Sequence, residues 1–308
     1  GEYDYQLLQT GDQFLSQSGI SRNSDQTFYF DARLDWKRSF GDHNLTAMAM
    51  YMMREYRSDV LPNRNQGYSG RVTYDYASKY LVEFNFGYNG SERLAAGQRF
   101  EFFPAVSAGW VASSEKFWEP ISKYINHFKI RGSYGLVGSD AFASGAPHFL
   151  YQNNIGIGSA HKFWTGLPTS EISKQGPGFY VLAVQDAGWE HVKKFDIGFD
   201  MMLFNQLNIT FDYFHDKRER ILMSRASWPS MLGYWGSKPW SNIGEVENQG
   251  FELSLNWTKQ FGKDLTLDLR GNFTYNQNEY KYVDEPSYPY VWQTNTGKPL
   301  NTVKGYIA

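Results

Sequence analysis

The chain has 308 residues, a net charge of -2 and no cysteine, which excludes a disulfide framework or thiolate metal site and argues against nucleic acid as a partner. Its mean hydropathy is -0.55 and it has no run of ~18 apolar residues, so it is not a helical membrane protein. Aromatic residues reach 18%, with 22 Tyr, 23 Phe and 10 Trp, a load that fits a membrane-spanning barrel, where rings gather at both interfaces while a polar interior lowers the mean hydropathy.

In chain order, Phe28, Phe30, Ala32, Leu34 and Trp36 alternate with Tyr29, Asp31, Arg33, Asp35 and Lys37, and residues 41–44 turn the chain into a second run over 45–56. A period of two gives each strand one apolar and one polar face. The short turn makes the pair an antiparallel hairpin. Residues 68–76 and 80–88 repeat the unit around Ala77-Ser78-Lys79. Residues 102–111 read as strand, Ser113-Ser114-Glu115 as a cap opening a short amphipathic helix that reaches Ile125, and 128–136 as strand again. The cleanest hairpin sets Phe195, Ile197, Phe199, Met201 and Leu203 against Lys194, Asp196, Gly198 and Asp200. After Phe204-Asn205-Gln206 it continues with Leu207, Ile209, Phe211 and Tyr213 against Asn208, Thr210 and Asp212. Runs over 251–257 and 265–275 pair around Gly262-Lys263-Asp264, and a further strand is expected to begin at Gly297.

Tight turns at 41–44, 77–79, 204–206 and 262–264 alternate with long stretches at 58–67, 139–179, 223–244 and 281–296. That order predicts an all-β fold, an antiparallel transmembrane β-barrel segment with short periplasmic turns and long extracellular loops. A soluble sandwich would show the same alternation, but with strands of ~5–6 residues and no reason for its loops to segregate. The expected sheet has about a dozen tilted strands, with Phe195, Phe199 and Leu203 outward and Lys194, Asp196 and Asp200 inward. Residues 139–179 and 223–244 should lie at one end, opposite Asn205 and Lys263.

Several segments also carry a family resemblance. NRNQGYSGRVTYDY at 63–76, KYL at 79–81, FPAVSAGW at 103–110, Phe117 and KIRGSYG at 129–135 resemble the barrel of SusC/RagA-type TonB-dependent transporters. Trp189-Glu190 leading into FDIGFD at 195–200, and NIGEVENQGFE at 242–252, follow in the same order. The resemblance implies an outer-membrane importer of the Bacteroidetes type, a barrel of about twenty-two strands around a plug. It also implies drive through TonB and a SusD-like lipoprotein lid that holds an oligosaccharide or peptide. On that reading residues 1–308 are barrel segment only, about half of the ring, without the plug, TonB box, N-terminal accessory domain or C-terminal strands.

Little in the chain suggests chemistry. Gly156-Ile157-Gly158 lacks the later glycine of a dinucleotide loop and reads as a flexible loop. His43, His127, His148, His161, His191 and His215 read as residues of separate turns and loops without ligand spacing. Residues 216–220 read as a solvated charged rim. Asp196, Asp200, Asp212 and Asp268 fall on the lumen face, where polar residues are required in any case. Neither an enzyme nor a cofactor is expected. The functional signal lies in large rings within Gly-, Ser- and Pro-rich segments: Trp228, Tyr234, Trp235 and Trp240, with Trp164 and Trp292 elsewhere. Such rings stack on the apolar faces of sugars, or else pack loops, line the membrane interface or meet a lid protein. The stretch from Trp228 to Trp240 is expected to face the barrel axis or the lid, because irregular backbone cannot meet hydrocarbon. Three functions remain open: a SusC-like importer, a passive porin or adhesive barrel, and, weakest, a β-rich hydrolase.

Overall fold

The computed structural model describes residues 24–58, 62–142, 145–165, 172–229, 231 and 238–305. The first six strands are β1 (Gln26–Phe40), β2 (His43–Arg57), β3 (Asn63–Tyr76), β4 (Tyr80–Ser91), β5 (Phe100–Val111) and β6 (Ile125–Ser139). A separate hairpin follows, β7 (Asn154–Thr165) with β8 (Ile172–Val181), and then β9 (Glu190–Leu203), β10 (Leu207–Ser224), β11 (Trp240–Phe261) and β12 (Leu265–Tyr282). All but the hairpin form one ten-stranded sheet whose spatial order is the chain order, with β6 pairing directly to β9. Every neighbouring pair is antiparallel. Strands in this sheet run from 12 to 22 residues, against ~5–6 in ordinary globular sheets. Each is long enough for a tilted membrane crossing.

The two faces differ in kind. On one, Phe128, Phe199, Phe211, Phe251 and Phe273 form a ladder of rings across β6, β9, β10, β11 and β12, with centroids 5.5 to 6.1 Å apart. Ile197, Leu269 and Tyr275 add exposed apolar surface on the same side. From Leu265 to Tyr275 this outer row covers about 34 Å of strand. At a tilt of ~45° that is about 24 Å along the membrane normal, close to the apolar band of an outer-membrane barrel. Beyond the band the same face turns charged: Lys193 meets Glu219 at 2.6 Å, Lys217 meets Glu219 at 2.7 Å and Lys281 meets Glu247 at 3.2 Å. Residues 216–220 thus supply part of a paired rim.

On the opposite face, Thr73, Glu83, Ser107, Lys129, Arg131 and Asp196 line a hollow of about 510 Å³ whose walls come from β3, β4, β5, β6 and β9. In a barrel wall the apolar band faces lipid and the opposite, polar face is the inner, concave one. Phe199 stands on the first and Asp196 on the second, as the period of two predicts.

Connections segregate as expected. The turns after β1, β3, β9 and β11 are short and lie at one end with the β5–β6 connection, while the connections after β2, β4, β6, β10 and β12 lie at the other. Burial follows this split. The fully buried Leu94, Leu150 and Leu222 belong to two clusters, Leu94/Phe103/Trp189 and Leu150/Ala187/Leu222, both at the long-connection end. Among the described residues neither face of the sheet has a second layer packed on it, and apolar packing is concentrated where loops fold over the strand ends.

Four local expectations are corrected. Residues 139–179 are not simply a loop, because β7 and β8 pair there and place Gly156-Ile157-Gly158 in a strand. The stretch after Ser113 forms two 3-10 turns, Ala112–Ser114 and Lys116–Ile121, with no side-chain cap. Glu115 instead accepts from Tyr80 Oη at 2.7 Å and Lys79 Nζ at 3.2 Å, and Pro120 limits the helix to this tighter form. His43, His127, His161, His191 and His215 sit on strands rather than in turns and loops. No strand begins at Gly297 among the described residues. The chain doubles back on β12, Gly297 N–H donating to Tyr280 O at 2.7 Å and Tyr280 N–H to Lys298 O at 3.0 Å.

On the concave face Arg131 of β6 reaches across β9 to β10. Its Nη1 and Nη2 lie 2.7 Å from the two oxygens of Asp212, and Asp200 and Asp196 approach at 3.3 and 3.6 Å. Gly198 stands in register between Arg131 and Asp212, and a Cβ there would strike the Asp212 carboxylate. Arg131→Leu leaves three carboxylates facing one another and is expected to lower the stability of the full-length protein by about 1–3 kcal/mol. Gly198→Val should cost a similar amount by blocking the reach. Urea unfolding in detergent, followed by loss of heat-modifiable gel migration, measures both, and wild-type midpoints in both variants would mean the cluster is not structural.

Candidate functional site

On the concave face the acidic groups are taken up by pairing. Asp196, Asp200 and Asp212 converge on the single Arg131 guanidinium, which offsets one of their three charges, and Thr210 Oγ1 donates to Asp200 at 3.1 Å. Asp268 stands apart, accepting from Thr258 Oγ1 at 2.6 Å. Arg71 pairs with Glu83, which also accepts from Asn85 at 2.6 Å. Among the described residues no group of three or more His, Asp or Glu side chains is placed to hold a metal ion.

At the long-connection end a polar clasp ties the strand ends together. Trp189 Nε1 donates to Arg99 O at 3.0 Å, and Leu222 N–H donates to Glu190 Oε1 at 3.1 Å. Asn242 Nδ2 donates to the carbonyls of Gly188 and Arg220 at 3.0 and 2.8 Å while its Oδ1 accepts from Gly188 N–H at 3.0 Å. Arg220 carries a φ of 57° where the β10–β11 register slips, a left-handed conformation uncommon for Arg, and the Asn242 bond holds it. Sequence reasoning reached Trp189, Glu190 and Asn242 only through resemblance, since no periodicity marks a residue whose task is to bond a distant backbone.

Of the described candidate rings, Trp164, Trp228 and Trp292 belong to three different connections, whereas Trp240, expected in irregular backbone, opens β11 in register with Ser224. Trp164, on β7, is 62% exposed. Trp228 is half-buried, and its Nε1 is enclosed without an acceptor among the described residues. Trp240 packs on the Leu150/Ala187/Leu222 cluster and walls a hollow of about 570 Å³ shared with His148, Asn154, Tyr180 and Lys238. Trp292 is 61% exposed and stacks on Tyr290, with centroids 5.5 Å apart and planes 13° from parallel. Tyr234 and Trp235 lie outside the described residues.

Two carboxylates fix the segment that carries Trp292. Glu285 accepts from the N–H groups of Asn295 and Thr296 at 2.8 and 2.9 Å. Burial disfavours its charge, yet these donors and the Thr296 hydroxyl hold it below the usual carboxylate range. Lys298 Nζ meanwhile donates to Trp292 O at 2.6 Å. Asp284, whose side chain is only 4% exposed, accepts from Ser227 N–H at 2.9 Å and Oγ at 2.8 Å and lies 3.4 Å from Arg225 Nε. Burial works against its ionisation, but the Ser227 donors and the Arg225 charge hold it below the ordinary aspartate value of 3.8. A depressed folded-state pKa stabilises at all pH above the unfolded value and is lost as pH falls through the folded one. Asp284→Asn is therefore expected to raise amide exchange at Ser227 several-fold at neutral pH, whereas the wild-type amide stays protected until the pH drops below about 4. Hydrogen–deuterium exchange mass spectrometry, corrected for intrinsic rates, measures both arms, and unchanged protection in the variant would remove Asp284 from the clasp.

Comparison with known proteins places this geometry. The family model described as "TonB dependent receptor-like, beta-barrel" matches residues 1–308. TonB-dependent receptor P3 of Formosa agariphila is 31% identical over 211 residues, covering 68% of this chain and 20% of the relative. TonB-dependent receptor SusC of Bacteroides thetaiotaomicron is 26% identical over 239 residues, 74% of this chain and 22% of SusC. The chain thus spans about a fifth of the length of the curated relatives it matches. Among solved structures, the RagAB peptide importer in its closed-closed state aligns with a TM-score of 0.67 at 20% identity, covering 83% of this chain and 30% of that one. The ten-stranded sheet, its apolar outer band and its charged inner face are therefore those of a barrel wall, and the chain belongs to the TonB-dependent receptor β-barrel family.

Proposed function

We propose that the chain forms part of the wall of a TonB-driven importer in the outer membrane, its concave face lining the passage and its long connections facing the cell exterior. There a SusD-like lipoprotein presents an oligosaccharide. The observation that carries this reading is the pair of opposed faces: a ladder from Phe128 to Phe273 suited to lipid, and behind it a hollow into whose lining Glu83, Lys129, Arg131 and Asp196 bring charge suited to hydrated solute. The family of the chain supports the coupling to TonB. Exposed flat rings at Trp164 and Trp292 favour saccharide, because such rings stack on the apolar faces of pyranoses. Peptide is the second reading, favoured by the alternating acids and bases of the concave face, and the RagAB structures are titled as those of a peptide importer or transporter.

The test uses the full-length receptor in its host. Uptake of labelled oligosaccharides and of labelled peptides is compared in wild-type, receptor-deleted and TonB-disabled cells. The reading expects saccharide uptake that disappears in both mutants. Uptake of peptide alone selects the second reading, and uptake indifferent to TonB selects a passive pore. In calorimetric titration of the purified receptor with the imported saccharide, Trp292→Ala should weaken binding about fivefold, the loss of one stacking face worth ~1 kcal/mol, with heat-modifiable migration unchanged.

A further inference from the structure

The connection between β5 and β6 takes thirteen residues, 112–124, at the end where the other turns take two or three. Its second 3-10 turn, Lys116–Ile121, repeats every three residues, so side chains three apart lie over one another. Continued through the turn at 122–124, Trp118, Ile121 and Tyr124 share one line, with Phe117 and Pro120 beside it. Lys116, Glu119 and Ser122 fall on the remaining side.

Ring contacts fix where this surface lies. Trp118 stacks flat on Phe128, centroids 5.3 Å apart and planes 7° from parallel, and Phe128 is the first ring of the outward ladder. Phe117 lies 6.2 Å from Trp110, which is in register, through Ile130, with the outward Phe199. Trp118 Nε1 donates to Ile125 O at 3.0 Å, so the indole is fixed to the start of β6. The connection therefore folds back over the outer face of the sheet rather than across the mouth of the barrel. It leaves much apolar surface uncovered: Phe117 is 62% and Tyr124 56% exposed, and Ile121 and Phe204 are exposed beside them, Phe204 edge-on to Tyr124.

We infer that residues 116–124 are an interfacial membrane anchor whose partner is the phospholipid leaflet at the short-turn end. Girdle rings of a barrel ordinarily stand on its strands. Here a connection carries them and extends the lipid contact beyond the sheet. Continuity selects the occupant, because Trp118 is stacked on a ring that belongs to the lipid-facing band. Segments with aromatic and aliphatic groups on one side and charge on the other lie in the plane of the interface, and the exposed Lys116 and Lys123 are long enough to bring their amines up to the phosphates while their stems stay in apolar surroundings. The anchor sets the height of the wall at this end, as the charged rim does at the other. This assignment goes beyond import and needs only that the sheet is a barrel wall.

The test uses full-length receptor in nanodiscs of phosphatidylethanolamine and phosphatidylglycerol, on a background without other accessible cysteines. Nitroxide labels are placed by Phe117→Cys and Ile121→Cys, with Phe273→Cys as the lipid-facing control and Asp264→Cys as the water-facing one, and heat-modifiable migration reports assembly. Collision with oxygen, which concentrates in lipid, is compared with collision with a water-soluble nickel chelate. The expected result is that labels at Phe117 and Ile121 lose nickel collision and gain oxygen collision relative to Asp264, at a depth of about 5–10 Å below the headgroups. Nickel collision equal to that at Asp264 would overturn the anchor while leaving the wall standing, and nickel access at Phe273 would overturn the wall itself. Wild-type receptor in nanodiscs doped with a diazirine-bearing phosphatidylcholine gives a second reading without any variant: lipid adducts within residues 116–124 are expected, and adducts confined to the strands would overturn the anchor.

Discussion

Every other feature of this structure depends on one constraint: in a layer without water, each backbone N–H and C=O must find its partner on a neighbouring strand. Between its edge strands β1 and β12 the ten-stranded sheet meets it by antiparallel pairing in chain order, across ladders such as the seventeen pairs of β11 with β12, with register slips near the ladder ends. Once the backbone is paired this way the side chains have no choice of period. Alternate residues go to lipid and to water, and the sheet is left without a core of its own. That is why Leu34, Phe102, Phe273 and Tyr275 are exposed, a pattern that would be ruinous in a soluble monomer and is required in a wall with lipid on one side.

The same constraint explains where polar cross-links occur. On the concave face, charges are solvated but crowded, and Arg131 gathers three carboxylates of β9 and β10. A planar guanidinium can take Asp212 with two donors and still face Asp200, which Lys could not. The link is possible because Gly198, between them, has no side chain. Sequence alternation alone assigns Gly198 to the polar face without saying why a polar residue is missing there.

What could be read from residues, and what could not, follows the range of the forces involved. Period two is local, so the strands and their faces were legible from Phe195, Asp196, Phe199 and Asp200 alone. Connection parity followed from counting strands. The turns were harder. Ala77-Ser78 and Phe204-Asn205 adopt positive φ at both central positions, 52° and 56°, then 53° and 54°, the primed hairpin turn usually marked by Asn-Gly or Asp-Gly. At Phe204 tertiary contacts override propensity: its N–H donates to Tyr124 O at 2.9 Å, its ring meets Tyr124 edge-on, and Asn205 N–H donates to Asn126 Oδ1. The β7–β8 hairpin was hidden for another reason, since its glycines and register slips erase the alternation by which strands are recognised.

The long-connection end reverses the usual division between rigid strands and mobile loops. There the connections carry the buried Leu94 and Leu150 and pack over Leu222 of β10, Asn242 and Glu190 stitch backbone groups from separate segments, and Asp284 and Glu285 fasten the segments around Ser227 and Trp292. A wall that must leave its faces to lipid and to solute can spend its apolar packing only at its ends. Packing at this end holds Trp240 and, through the connections, its neighbours in fixed positions, and a site whose groups are already ordered loses less entropy on binding than one that must order them. The burial that the sheet cannot use thus becomes the means by which the connections hold rings and polar groups in a defined geometry at that end.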